Sequence, residues 1–352
     1  MPRQEETSAA APRIHRLLPA AALPGGDLRI EGEGLAPRGS ALPVVQFGEM
    51  NGPISVSSEH ALMVRVPEGA LSGSVQVRPA GGSNGVISNV LHVDIAVPIS
   101  EELHPVANPV VDRQGNIYAT FSGARGQSVP VSLFRIDTNY TVKPLTAAVL
   151  NPTGLALDRE GTLFVSSRHE GSVYRVAVNG VAVTYAEGMG VATGLAFDAM
   201  ENLYVGDRSG TIFKIDRERK TFVFATLEPS IAAYHLAFGP DHFLYVSGPT
   251  TSSFDTIWRI SPQGVVEPFF RGLGRPQGLA FDREGRLYVA ASLRGRRGIV
   301  RITPNREADL VISGYNLVGL AFAPGPAMIL ATGSSLFHLD WPAAGMTLPP
   351  EP

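Results

Sequence analysis

The stretch NPTGLALDREGTLFVSSRHEGSVYRV, from Asn151 to Val176, nearly recurs about forty residues later as VATGLAFDAMENLYVGDRSGTIFKI. Each copy holds a short apolar run, a turn, and then two strand-like runs with alternating side chains. Working outward on this pattern gives six copies, whose first runs read NPVVD (108–112), GLALD (154–158), GLAFD (194–198), HLAFG (235–239), GLAFD (278–282) and GLAFA (319–323). Their fifth positions, Asp112, Asp158, Asp198, Gly239, Asp282 and Ala323, are spaced by 46, 40, 41, 43 and 41 residues. That period is too long for a helical hairpin and suits four short strands joined by three turns.

Within a copy, the first run ends in a turn such as DREG (158–161 and 282–285), where Asp caps the turn and Gly accepts positive φ. One such sheet cannot bury both of its faces. Six arranged radially can, and they leave only short edges. A six-bladed β-propeller over residues 97–342 follows. The last copy ends at SLFHLDW (335–341) with three strands, so the region around VPISEELH (97–104) is expected to supply its outer strand and close the ring.

Residues 12–96 do not fit this period. They give short strands every eight to twelve residues, from DLRIEGEGL (27–35) to NVLHVDIA (89–96), the pattern of a small immunoglobulin-like β-sandwich. The expected fold class is therefore all-β, a small sandwich followed by a six-bladed propeller. Residues 1–11 read as a disordered leader and 343–352 as a disordered tail.

Composition narrows the function classes. The 29 basic and 32 acidic residues leave a formal charge of −3, so nothing overall calls for nucleic acid. There are no cysteines, which removes disulfides, thiolate metal sites and a cysteine nucleophile. No signal peptide or membrane span is seen in the hydrophobic pattern, and the cytoplasm is the default location.

The repeat resembles NHL-type propellers, which share a P-x-G-L-A-x-D-x-x-G-x-L-Y-V-x-D rhythm, and more loosely the gluconolactonase and senescence-marker-protein superfamily. The N-terminal segment resembles an IPT/TIG domain. It carries Gly25, Gly26, Leu28, Ile30, Gly32, Gly34 and Leu35, then Val45, Phe47 and Gly48, then Val64, Val66, Pro67, Glu68 and Gly69, then Gly81, Gly82, Ser83 and Asn84. Such a domain implies a spacer or binding module.

Propeller ligands usually meet the central mouth, at the starts of the inner strands and in the loops after the second strands. Before the repeated Gly stand Ala107, Thr153, Thr193, Tyr234, Gln277 and Val318; at the Gly position itself, copies one and four carry Asn108 and His235. The loops after the second strands add Ser167, Arg168, His169 and Glu170, then Asp207 and Arg208, then Arg294, Arg296 and Arg297. His235 beside Tyr234 has the makings of a general base or ligand donor. Asp207, RHEG (168–171) and RGRR (294–297) read mainly as backbone cap, solvated loop and exposed hairpin tip.

The gluconolactonase resemblance implies a divalent metal, calcium or zinc, on a ring of carboxylate and amide oxygens at this mouth. These ring positions offer no carboxylate, so no cofactor is expected and the metal enters only with the hydrolase alternative. The leading expectation is a binding protein that recognises a small molecule or a protein partner through Asn108, Thr153, Thr193, Tyr234, His235, Gln277, Arg168, Asp207 and Arg208. A lactone or ester hydrolase, with Tyr234 and His235 as catalytic candidates and Asn108 and Asp207 beside them, is the alternative. A lyase acting through His235 is a third reading.

Overall fold

A computed structural model describes residues 11–36, 41–79, 86–177 and 179–346. The expected leader up to residue 10 and the Gly81, Gly82, Ser83 and Asn84 motif lie outside the described residues. Among the described residues every regular element is a β-strand. The chain divides into two compact units: one runs through Val97 and takes in Leu310–Tyr315, and the other holds Pro98–Asp309 and the chain from Asn316 onward.

The first unit is a β-sandwich. One sheet holds Arg13–Leu18, Asp27–Glu33, Ala61–Arg65 and Ile54–Ser57. The other pairs Met50–Gly52, Val44–Phe47, Gly73–Arg78 and Leu91–Ile95, with Ala21 and Ala22 adding a short parallel strand between Asp94–Ile95 and Ile312–Ser313. The reason for two layers is the period-two burial. Leu28 and Ile30, Leu62 and Val64, Val75 and Val77, and Val93 and Ile95 all point into one core, while the residues between them face outward.

The second unit is the propeller, whose described strands form six antiparallel blades. Blade three is representative: Ala192–Phe197 innermost, then Leu203–Asp207, Thr211–Ile215 and Thr221–Thr226. Blade six combines Leu317–Ala323, Ala327–Thr332 and Leu336–Asp340 with Val97–Ser100 as its outer strand, the closing clasp that the missing fourth strand of the last copy predicts.

The rhythm that recurs from blade to blade has a packing cause. In blades two to five the aromatic of the second strand meets, edge to face, the Phe at the end of the next inner strand. These pairs are Phe164 with Phe197 at 5.0 Å, Tyr204 with Phe238 at 5.1 Å, Tyr245 with Phe281 at 4.8 Å and Tyr288 with Phe322 at 5.3 Å between centroids. The Asp that follows turns the chain. Asp158 Oδ1 accepts from the amides of Glu160 and Thr162 at 3.0 and 2.7 Å, and Asp198 and Asp282 repeat the arrangement.

One expectation about the tail is corrected. Ala343–Met346 are bonded to the propeller: Arg283 N donates to Ala344 O and Met346 N to Phe281 O. Residues 347–352 lie outside the described residues.

Candidate functional site

The six inner strands start at one end of the propeller, and their repeated glycines form a ring there. Glycine is required because neighbouring strands nearly touch. A β-carbon on Gly154 would lie 2.1 Å from Thr193 O, one on Gly194 2.5 Å from Tyr234 O, and one on Gly319 2.6 Å from Asn108 Cα. Inside this ring lies a central cavity of about 120 Å³. Its wall is mostly apolar: Leu155, Leu195, Leu236, Leu279 and Leu320 along the strands, and Phe197, Phe238, Phe281, Phe322 and Met346 toward the other end.

Two polar side chains from the ring line this cavity, Asn108 and His235, the positions where the sequence departs from Gly. Their environments differ sharply. Asn108 is held at both ends: its Nδ2 donates to Leu279 O at 2.8 Å and its Oδ1 accepts from Leu320 N at 3.0 Å. A blade-one side chain thus ties the inner strands of blades five and six, closing the ring where the chain's two ends meet. These two bonds leave the amide one N–H and one lone pair for other partners.

His235 is 3% exposed, and its ring has no hydrogen-bond partner among the described residues. Burial in apolar surroundings pushes its pKa down to about 4, with no charged group contributing. The imidazole is therefore neutral near pH 7, with one nitrogen an acceptor and the other a donor. No carboxylate orients it.

The other nominated residues sit in the wall. Thr153 Oγ1 donates to Asn151 O, while Thr193 Oγ1 donates to Gly206 O at 2.8 Å and accepts from Tyr234 N at 3.1 Å. Tyr234 points away from His235, as successive residues of a strand must, and its hydroxyl donates to Glu228 O. Burial raises its pKa, so it is a poor acid. Neither threonine nor Tyr234 lines the cavity, which corrects the expectation that they form a mouth ring with His235. Gln277 is half-buried and engages Ala290 and Ser247 through its backbone.

Asp207 caps its loop, accepting from Val191 N at 2.8 Å and Ser209 N at 3.2 Å. Arg294 and Gly295 form a positive-φ hairpin turn at φ 51° and 80°. Arg168 is half-buried, donating from a terminal nitrogen to Gly123 O at 3.2 Å, and Arg208 Nε donates to Ser230 O at 3.1 Å.

One architectural residue carries no repeat signal in the sequence. Asn151, fully buried at φ 46°, donates to the carbonyls of Gly123 and Ala124 at 2.9 Å each and accepts from Gly126 N at 2.7 Å. It pins the blade-one loop against blade two. Asparagine tolerates this left-handed backbone better than most residues. The Asn-Pro step at the start of copy two was the available clue.

A divalent metal does not fit this cavity. Its ring offers one amide, already bonded on both atoms, and one lone imidazole, with no carboxylate. Among the described residues no group of three or more His, Asp or Glu is placed to hold an ion.

No protein-family model matches the chain, and no curated protein matches it. Solved structures do match in fold. A protein provisionally named a gluconolactonase shares 16% identity with a TM-score of 0.59, over 72% of this chain and 94% of that one. A luciferin-regenerating enzyme shares 13% at a TM-score of 0.58, over 73% and 99%. An auxiliary nutrient binding protein from Bacteroides thetaiotaomicron shares 11% at a TM-score of 0.56, over 94% and 98%. This chain is a β-propeller protein similar in fold to these. Among the described residues no helix is long and apolar enough to cross a membrane.

Proposed function

We propose that the chain is a binding protein that takes a small, largely apolar molecule at the glycine-ring end of the central cavity, with His235 as its polar anchor. One observation carries this reading: a neutral imidazole, 3% exposed and without a partner among the described residues, lines an otherwise apolar cavity. Its ring nitrogens are open to the cavity rather than sealed in the wall, so a ligand hydroxyl or N–H can pair one of them there. The likeness to a nutrient binding protein over 94% of this chain supports the same reading. We read the blades as NHL-like and the N-terminal sandwich as an IPT/TIG-type spacer or interaction module; the glycine turns at Gly25, Gly48 and Gly69, all at positive φ, support the latter.

The test is a calorimetric titration with phenol and with toluene, which differ in a hydroxyl against a methyl group. Phenol should bind about tenfold tighter or more, the equivalent of one net hydrogen bond of roughly 1.4 kcal/mol. His235→Leu should erase the preference. Equal binding of the two compounds, or a preference that survives in the variant, would count against the cavity as the site.

A hydrolase of lactones or esters is the second reading, favoured by the likeness to the structure provisionally named a gluconolactonase. His235 would then have to act as the base without metal and without an orienting carboxylate. A pKa near 4 makes it a weak one at neutral pH. Lactone turnover that disappears in His235→Leu would replace the binding reading with this one.

A further inference from the structure

Three arginines from successive blades converge at the end of the propeller where the second strands finish. Arg168 of blade two lays its guanidinium on Gly123 O, against the loop that carries Arg125 of blade one. Arg208 of blade three stands within electrostatic reach of Arg168, as does Arg125. Among the described residues none of the three has a carboxylate within ion-pair distance. The two acids closest in sequence are otherwise employed: Asp207 caps its own loop, and Glu170 accepts from Tyr174 Oη at 2.9 Å.

This arrangement costs the fold energy. Burial, then the charges of Arg208 and Arg125, push the pKa of Arg168 down, yet a guanidinium remains charged throughout the physiological range. Among the described residues the buried Nε of Arg168 has no hydrogen-bond partner. The protein therefore holds a half-buried cation, with an unmet donor, beside two like charges.

The supports around the cluster are rigid. Asn151 fastens the Arg125 loop by three hydrogen bonds, Arg168 N donates to Asn151 O at 3.2 Å, and Ser230 O holds Arg208 Nε at 3.1 Å. Such preorganisation lowers the entropy lost on binding. The end in question is also that of the glycine ring: Thr193, one residue before Gly194, donates to Gly206 O, and Gly206 directly precedes Asp207 and Arg208.

We propose that Arg125, Arg168 and Arg208 form the receptor for an oxyanion group, carboxylate or phosphate, carried by the small molecule that this end of the propeller takes. The proposal rests on the binding reading above and adds the charge class of its ligand. A forked guanidinium meets two oxygens of either group through paired charge-assisted hydrogen bonds.

The test titrates purified protein at low ionic strength with inorganic phosphate and, separately, with acetate, using chloride at matched ionic strength as the control. Binding is read by calorimetry and from the side-chain Nε–H signals of arginine by NMR. In the unmutated protein, phosphate or acetate should shift the Arg168 and Arg208 signals where chloride does not. Arg168→Gln should weaken the better anion at least about tenfold. Arg208→Gln, on an exposed side chain, repeats the measurement should the first variant fold poorly. Anion responses that match chloride, or that persist unchanged in both variants, overturn the proposal. Phosphate or acetate binding that depends on the arginines, in a protein that does not bind phenol, sinks the cavity reading and leaves the arginine receptor standing.

Discussion

Replacing His235 with leucine should flatten the acid limb of the propeller's stability. The folded ring has its pKa pushed down to about 4, against 6.5 in an unstructured chain. Between those values the unfolded chain binds a proton that the folded ring refuses. The stability contributed by the neutral ring is therefore complete above about pH 6.5 and is lost progressively as pH falls toward about 4. At about pH 4.5 the loss relative to neutral pH is roughly 2.5 kcal/mol, because each pH step of one between the two pKa values removes about 1.36 kcal/mol. Leucine fills similar space and does not titrate. Both tryptophans, Trp258 and Trp341, lie in the propeller unit, so fluorescence-monitored urea unfolding reports on that unit. Carboxylates and the other histidines titrate alike in both proteins and cancel in the comparison. Wild type should thus lose about 2.5 kcal/mol more than His235→Leu between neutral pH and about pH 4.5. A difference under about 0.5 kcal/mol would mean that the ring is hydrated or paired, and the argument from burial would fail.

Three further outcomes follow from the wall of the cavity. Asn108→Ala removes the bonds to Leu279 O and Leu320 N, so urea unfolding should show a loss of about 2–4 kcal/mol. Gly154→Ala drives a β-carbon to 2.1 Å from Thr193 O, a backbone atom that cannot swing aside, and should cost at least about 2 kcal/mol or abolish soluble expression. Phe238→Leu breaks the edge-to-face contact with Tyr204 at 5.1 Å and should lower stability by about 1–2 kcal/mol without altering anion binding.

The blades were legible because each must solve the same local problem. Gly where strands crowd, an aromatic three residues on, and Asp to turn the chain recur at fixed spacing, and each has a near-neighbour cause. The clasp strand was legible as an absence, one strand missing from the last copy. The site was legible only as two exceptions, Asn108 and His235, where the repeat abandons Gly. Sequence marked His235 as the more distinctive of the two and set Tyr234 beside it as a partner. Strand alternation sends Tyr234 into the wall, and ring closure consumes both ends of the Asn108 amide.

The arginine cluster shows the same boundary from the other side. Arg168 and Arg208 were candidates as loop residues after second strands, but Arg125 was not, because nothing in its local sequence marks it. Asn151 brings that loop across to blade two through bonds spanning 25 to 28 residues. Repeat period, strand alternation and turn chemistry depend on residues a few positions apart, so the sequence by itself determined the two-part all-β architecture and the ring of glycines. Which side chains face the cavity, which are consumed in closing the wall and which like charges are forced together depend on residues one or more blades apart. Only the closed ring brings those residues together, and so only the tertiary structure decided them.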